Sequence, residues 1–159
     1  MSNYVLNAFS IPHLDLLSQE EWTKKEWLFW TGHRFSFPMV KAEFMAHIKE
    51  ESRSWWILKR GDDIVGLGEL QRIEHEEVKL SRIYIFKAYR GKGYSKKLMQ
   101  LLMEKGKAMC ASPVFCLNVF EENQIAINLY KSLGFKEVKE KRTELIIEDE
   151  SLVLMNMLA

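Results

Sequence analysis

The sequence predicts an α/β domain in which a mixed β-sheet of the α+β kind is flanked by helices. Three observations support this fold class. Amphipathic helical patterns occur within the first 50 residues, residues 54–86 contain strands joined by short turns, and residues 78–119 have the order strand, helix, strand. The 159 residues can form one sizeable core but hardly a second, so we expect one domain, residues 1–159.

Composition narrows the class of protein further. Lysine and arginine total 23 against 22 for aspartate and glutamate, a formal net charge of +1, which does not favour a nucleic-acid partner. The amino terminus lacks the pattern of a signal peptide, and no apolar run approaches the length of a membrane span. We therefore expect a cytoplasmic protein without a membrane partner.

The metal-ligating residue types form no recognisable pattern. Cys110 and Cys116 lack metal-ligand spacing, so we expect both to be reduced thiols of the core. The histidines are scattered along the chain: His13, His33, His47 and His75. The sequence therefore predicts no metal site.

Two helices are predicted at the start of the chain. Ser18 and Glu21 have the spacing of a capping box, and a tryptophan stripe follows them, so we expect a helix over residues 18–30. A second helix is expected over residues 38–51. Its buried face would contain Val40, Phe44, Met45 and Ile48.

Three strands are predicted next. Residues 54–59 and 64–70 flank the turn sequence at residues 60–63, so they should pair antiparallel. Residues 78–86 are apolar on both faces, which indicates a strand inside the sheet. Strict alternation would place Ile83 and Ile85 on one face, and Leu80, Arg82, Tyr84 and Phe86 on the other.

The second half of the chain continues the mixed pattern. A helix over residues 94–109 and a buried strand over 114–119 indicate a parallel crossover. A further helix should end in a glycine cap at Gly134. Two strands, 137–145 and 152–158, complete the sheet, and their edges could form a homodimer.

The segment Tyr89–Ser95 lies between a buried strand and a long helix. Its glycines permit a close approach of the backbone, and the amides at a helix start favour an anion. Arg90 and Lys92 add charge that suits a diphosphate. The spacing fits neither a Walker loop nor a dinucleotide-binding loop. A tight turn without a ligand is the alternative.

Two segments resemble motifs of the GNAT superfamily of N-acetyltransferases. Residues 83–98 are similar to its acetyl-CoA motif, [Q/R]-x-x-G-x-[G/A]. The three specified positions are filled by Arg90, Gly93 and Ser95, and only Ser95 departs from the motif, which has glycine or alanine there. Residues 117–135 resemble the signature N-x-x-A-x-x-[L/F]-Y-x-x-x-G-F. It is matched at Asn123, Ala126, Leu129, Tyr130, Gly134 and Phe135. The two segments span about a third of the chain.

The resemblance implies a GNAT-like fold whose central sheet splays to hold acetyl-CoA. The two central strands would contact pantetheine, and the turn amides from Gly91 to Lys96 would bind the diphosphate. Asn123 has an alternative role as a helix N-cap. The implied cofactor-binding residues are Ile83, Tyr84, Ile85, Arg90, Gly91, Lys92, Gly93, Tyr94, Ser95, Lys96, Asn118, Asn123, Ala126 and Tyr130.

The resemblance also implies direct transfer of an acetyl group to a primary amine of a small molecule, protein or peptide. Tyr130 matches the family's proton donor for the leaving thiolate; packing in the core is its alternative role. An ammonium acceptor must first lose a proton, and Glu77 and Glu69 at strand ends are candidate bases, unless they are merely solvated charges. Candidates for the acceptor side are His33, Arg34 and Phe35.

Two other functions remain open at this level. A catalytically silent module that binds acyl-CoA as a sensor or regulatory subunit would keep the same motifs. A small nucleotide-phosphate domain would bind ATP as well as it binds CoA.

Overall fold

The structure, a computed structural model, describes residues 3–74 and 76–159; the first two residues and His75 lie outside the described part. The strands are β1 (Tyr4–Ala8), β2 (Arg53–Arg60), β3 (Asp63–Arg72), β4 (Glu77–Ile85), β5 (Val114–Phe120), β6 (Lys136–Glu137), β7 (Thr143–Ile147) and β8 (Glu150–Leu158). The α-helices are α1 (Leu14–Gln19), α2 (Lys24–Thr31), α3 (Lys41–Ile48), α4 (Tyr94–Met109) and α5 (Gln124–Ser132).

The strands form one mixed sheet, as predicted. Its order is β1-β2-β3-β4-β5-β8-β6, and β7 pairs with β8 outside this path. The predicted hairpin of β2 and β3 and the parallel crossover from β4 through α4 to β5 are both confirmed. The edge strand β1 is absent from the prediction; it pairs antiparallel with β2, placing Tyr4 opposite Arg60.

A β-bulge interrupts the alternation of β4. Leu67 of β3 lies opposite Tyr84, but Glu69 lies opposite Ser81, so β4 contains one extra residue between these pairs. Arg82 within the bulge has a left-handed φ of 50°. The prediction of strict alternation is therefore wrong: Leu80 packs in the same apolar cluster as Ile85, not on the face of Tyr84.

The predicted helix over residues 18–30 is also wrong. The chain leaves α1 at the extended Glu20 and starts α2 anew after Thr23. The Thr23 Oγ1 accepts a hydrogen bond from the Glu26 amide, and the Glu26 carboxylate accepts one from the Thr23 amide, both at 3.1 Å. A capping box thus exists, but it begins at Thr23 and not at Ser18.

The helix α3 is shorter than predicted at both ends. Phe44 is fully buried, as its place on the apolar face requires. Val40 occupies the N-cap position and is 43% exposed, so its assignment to the buried face is wrong.

The end of α5 confirms the predicted glycine cap. Gly134 has a φ of 93°, its amide donates to the Lys131 carbonyl, and the Phe135 amide donates to the Tyr130 carbonyl. The single strand predicted over residues 137–145 is divided into β6 and β7 by a 3₁₀ turn at Lys139–Lys141.

Two apolar clusters cover the two faces of the sheet. One contains side chains of α4 and α5; the other, rich in tryptophan and phenylalanine, contains side chains of α1, α2 and α3. Cys110 and Cys116 are buried and free, as predicted. Among the described residues, no helix combines the length and the apolar character needed to cross a bilayer.

Candidate functional site

The parallel strands β4 and β5 separate shortly after they begin. They pair at three positions, of which Lys79 opposite Cys116 is the last. Beyond this pair lies a cleft of about 770 Å³, bounded by both strands, by α2, and by the starts of α4 and α5. The splayed central sheet is thus observed where it was predicted.

Within the described part of the chain, the edge of β4 that faces this cleft has no strand partner beyond Lys79. A free strand edge presents backbone donors and acceptors to which an extended ligand can bind. Ile83, Tyr84 and Ile85 line the cleft along this edge. The Arg90 Nε donates to the Ile85 carbonyl at 3.0 Å, which ties the turn that follows to the end of the strand.

The turn between β4 and α4 has an open surface. Gly91 and Gly93 have φ of 77° and 79°, and a Cβ placed on either would meet nothing within 4 Å. No side chain of residues 3–74 or 76–159 caps α4, so the first-turn amides beside Ser95 are available to a ligand. Lys92 and Lys96 are exposed at this turn. These residues fit the diphosphate of CoA, since amides, a helix dipole and mobile cations converge there.

Two of the predicted cofactor-binding side chains, those of Tyr94 and Tyr84, form hydrogen bonds with other residues of the protein. Tyr94 is 4% exposed and its hydroxyl accepts from Arg60, which leaves only its backbone for a ligand. The Tyr84 hydroxyl donates to the Glu20 carboxylate at 2.6 Å. Burial, together with this hydrogen bond, raises the pKa of Tyr84 above its ordinary value.

The opposite wall comes from β5 and α5. The Asn123 Oδ1 accepts from the Ala126 amide at 3.4 Å, so the N-cap role is observed, and both residues also line the cleft. Asn118 lines the cleft and accepts a hydrogen bond from Asn156 at 3.0 Å. Tyr130 lines the same cleft, and burial raises its pKa to about 12. This phenol therefore stays protonated at neutral pH.

The two candidate bases lie away from the cleft lining. Glu77 begins β4 opposite Val114, at the paired end of the strands. Glu69 is fully buried and accepts hydrogen bonds from Arg53 and from the His47 Nε2, the latter at 2.9 Å. Burial raises the pKa of Glu69, but these partners and Arg82 outweigh it and hold the pKa below its ordinary value.

Other charged residues do line the cleft and were not selected from the sequence. Among the described residues, its carboxylates are those of Glu26 and Glu122, and Arg82 adds a guanidinium. The position of Glu122 directly before Asn123 of the second motif could have identified it as a cleft residue from the sequence. Arg82 could have been identified because it is a charged residue between apolar residues of a central strand.

The acceptor-side candidates separate into two environments. His33 and Phe35 line a second cavity of about 330 Å³ between α2 and the β7–β8 hairpin. Phe29 lines both cavities. Arg34 instead donates to the His47 Nδ1 at 3.1 Å, as part of the charged cluster around Glu69.

Comparison with known proteins agrees with these features. Residues 16–135 match the model of the acetyltransferase (GNAT) family. The spermidine N(1)-acetyltransferase of Escherichia coli K12 is 30% identical over 105 residues, which cover 65% of this chain and 56% of that protein. An N-alpha-acetyltransferase of Sulfurisphaera tokodaii is 32% identical over 108 residues, covering 60% of this chain and 64% of that protein. The chain thus spans a little over half the length of the E. coli relative.

Solved structures share the fold. The crystal structure of spermidine N-acetyltransferase from Vibrio cholerae in complex with CoA and spermine superposes with a TM-score of 0.79 at 19% identity, covering 98% of this chain and 94% of that chain. A dodecameric structure of the V. cholerae enzyme gives 0.72 at 20% identity, covering 98% and 92%. These structures share the fold of the chain, and the match to the family model over most of the sequence shows that the chain belongs to the acetyltransferase (GNAT) family.

Proposed function

We propose that this protein transfers the acetyl group of acetyl-CoA directly to a primary amine of a small molecule or a peptide. The observation that carries the proposal is the cleft between β4 and β5. A turn with uncapped helix-start amides lies at one end of the cleft, and Tyr130, whose pKa burial raises to about 12, lies on its wall. Relatives that are named spermidine and N-alpha-acetyltransferases support an amine acceptor.

The cleft offers complementary groups to each part of acetyl-CoA. The amides from Gly91 to Lys96 and the charges of Arg90, Lys92 and Lys96 would bind the diphosphate. The free β4 edge at Ile83 and Ile85 would bind pantetheine by strand-like hydrogen bonds. The remaining contacts would come from Tyr84, Asn118, Asn123 and Ala126. Acetyl-CoA supplies the thioester carbonyl that the acceptor amine attacks.

In the transfer, a carbon–nitrogen bond forms as the carbon–sulfur bond breaks. Holding the amine beside the thioester would supply much of the acceleration. Tyr130 would donate its proton to the departing thiolate. The proton that the amine nitrogen loses as the amide forms would pass to solvent, from which Tyr130 would regain one. The acceptor ammonium must lose its proton before attack. Because Glu77 and Glu69 lie outside the cleft lining and Glu122 is paired with Lys25, water in the cleft would take this proton.

The assembly and the location of this protein also remain proposals. A V. cholerae relative is dodecameric, which supports testing this chain for a homodimer or a larger oligomer by light scattering. The cytoplasmic location stays a prediction.

Release of the CoA thiol during incubation with acetyl-CoA and a panel of amines tests the proposal. The panel contains polyamines, amino sugars, amino acids and peptides with free amino termini. We expect at least one amine to accelerate thiol release in proportion to enzyme concentration. Binding of acetyl-CoA without release by any amine would favour the silent sensor and contradict the proposed transfer.

A further inference from the structure

We propose that the acceptor amine carries a carboxylate, and that Arg82 binds this carboxylate within the cleft. The inference rests on the proposed function and names its class of acceptor. It follows from the position of Arg82, from its unsatisfied hydrogen-bonding capacity, and from the balance of charge around it.

Arg82 occupies a special backbone position. It lies in the β4 bulge, has a φ of 50°, and lines the cleft between Ser81 and Ile83. Non-glycine residues with such a φ are uncommon and cluster at functional sites. Arg82 is three residues, or about 10 Å, from Ile85 at the end of the strand. A diphosphate at the turn beyond that end would therefore not occupy the space beside Arg82.

The guanidinium of Arg82 is incompletely bonded. Its side chain is 10% exposed, and its Nη1 lies 3.4 Å from the Glu69 carboxylate, a long hydrogen bond. Among the described residues, its buried Nε has no hydrogen-bond partner. The group also packs on the Phe35 ring, at 5.6 Å from the ring centre. A buried donor without a partner costs free energy, and the planar guanidinium matches a carboxylate that could accept from it.

The surrounding cluster has an excess of positive charge. Arg34 donates to the His47 Nδ1, and the His47 Nε2 lies 2.9 Å from a Glu69 carboxylate oxygen. Ion pairs around His47 join three guanidinium groups to two carboxylates, which leaves one positive charge in excess. These groups are Arg34, Arg53, Arg82, Glu50 and Glu69. Lys79 also lies near Arg82, and burial, together with the charge of Arg82, lowers the pKa of the Lys79 amine. An anionic ligand group would offset this excess.

The carboxylates of the cleft are already paired with lysines. Glu26 lies 3.2 Å from Lys87, and Glu122 lies 2.9 Å from Lys25. In a polyamine, every amine other than the one that is acetylated is cationic. These cations would find the cleft carboxylates already paired with lysines and would be repelled by Arg82. An amino acid or a similar amine would place its carboxylate on Arg82. The positive charge would also favour the neutral, nucleophilic form of its amine.

Matched acceptors test this directly. Each pair differs by one carboxylate: L-alanine and ethylamine, γ-aminobutyrate and propylamine, L-lysine and cadaverine. We expect kcat/KM for the best carboxylate-bearing amine to exceed that of its matched amine by about tenfold or more. Equal values within every pair, or a higher kcat/KM for spermidine than for all three acids, would overturn the inference.

Variants of Arg82 and Arg53 distinguish binding of the acceptor carboxylate by Arg82 from a purely structural role of Arg82 in the charged cluster around Glu69. Both Arg82 and Arg53 contact Glu69, but Arg53 does not line the cleft. Arg82→Met should remove most of the preference for the carboxylate and leave the KM for acetyl-CoA unchanged, and Arg82→Lys should restore part of it. Arg53→Met should lower the thermal stability but keep the preference. An equal loss of preference in Arg82→Met and Arg53→Met would contradict a role in binding the ligand.

A binding measurement distinguishes this inference from the proposed function. If the wild type binds acetyl-CoA but acetylates no amine, the proposed function fails. Isothermal titration of the CoA-saturated protein with the three carboxylate-bearing amines then tests Arg82 alone. Binding by the wild type that is lost in Arg82→Met would support the site; no binding, or equal binding by both proteins, would overturn it.

Discussion

Lys79 and Cys116 form the last pair between β4 and β5, and the candidate cleft opens directly beyond them. The parallel crossover that completes the core therefore also creates the site. Because the ladder stops early, the edge of β4 from Leu80 to Ile85 is free for a ligand. The cleft is a consequence of this sheet geometry rather than of an added loop.

Tyr130 is the residue whose loss should impair the chemical step most selectively. Tyr130→Phe removes the proton donor and keeps the ring that packs against Phe135, with ring centres 6.1 Å apart. We expect kcat to fall by roughly 10²-fold, with little change in acetyl-CoA affinity. Steady-state kinetics and titration calorimetry measure the two effects. Tyr4→Phe, outside the cleft lining, is the matched control; an unchanged kcat in Tyr130→Phe would exclude Tyr130 as the acid.

The pH dependence of the rate follows from the same group. The pKa of Tyr130 is raised to about 12, so its proton is retained throughout the neutral and mildly alkaline range. An alkylammonium acceptor has a pKa of about 10.4 and becomes nucleophilic as pH rises. The value of kcat/KM should therefore increase with pH up to about pH 10 without a descending limb. A decline centred well below that pH, in protein shown by circular dichroism to remain folded, would contradict this assignment.

The turn at Gly93 should be essential for binding and of limited importance for folding. Gly93→Val forces a branched residue into a φ of 79°, and its side chain would occupy the open surface where the diphosphate is proposed to bind. We expect acetyl-CoA affinity to be lost, and a destabilisation of about 1–3 kcal/mol from backbone strain.

Gly61 provides the matched control for this strain. It lies in the β2–β3 hairpin with a φ of 60° and equally open surroundings. Gly61→Val should therefore lower the melting temperature to a similar extent while acetyl-CoA binding remains normal. Normal affinity in folded Gly93→Val would refute the role of the turn.

Glu69 should contribute mainly to stability. Glu69→Gln leaves Arg53 and Arg82 without their buried carboxylate, and breaking such a pair costs about 3–5 kcal/mol. Urea unfolding measures the loss, and Glu104→Gln on the exposed side of α4 is the control. A folded, equally stable Glu69→Gln protein that loses only kcat would instead support Glu69 as the base.

The same carboxylate should make stability sensitive to acid. The folded-state pKa of Glu69 lies below its ordinary value of 4.5, so the ionised form stabilises the fold above that pH. This stabilisation disappears as the pH falls through the lower folded-state pKa. The free energy of unfolding should therefore fall less on acidification in Glu69→Gln than in the wild type. An identical acid dependence of the two proteins would contradict the pKa direction.

Local sequence patterns predicted the elements that are governed by local physics. The Gly134 cap, the hairpin of β2 and β3 and the long helix α4 each follow from turn chemistry or from one apolar stripe. The turn from Arg90 to Ser95 was identified because small residues between a strand and a helix are a local pattern. The same locality explains why Asn123 could be assigned to a cap.

Features that depend on distant contacts were missed. The bulge at Arg82 arises from register with β3, so an alternating pattern could not reveal it and misplaced Leu80. The break before Thr23 has a similar origin, because Glu20 leaves the helical conformation where it binds the Tyr84 hydroxyl and the Lys87 amide. The burial of Glu69 within a charged cluster likewise depends on side chains of three separate segments.

Isothermal titration of the wild-type protein with acetyl-CoA, and separately with ATP, tests the central claim most directly. The cleft between β4 and β5 predicts a single acetyl-CoA site with an affinity at least about tenfold higher than that for ATP, because pantetheine adds strand-like contacts along β4 that ATP lacks. No binding of acetyl-CoA, or equal affinity for the two ligands, would contradict the assignment of the cleft.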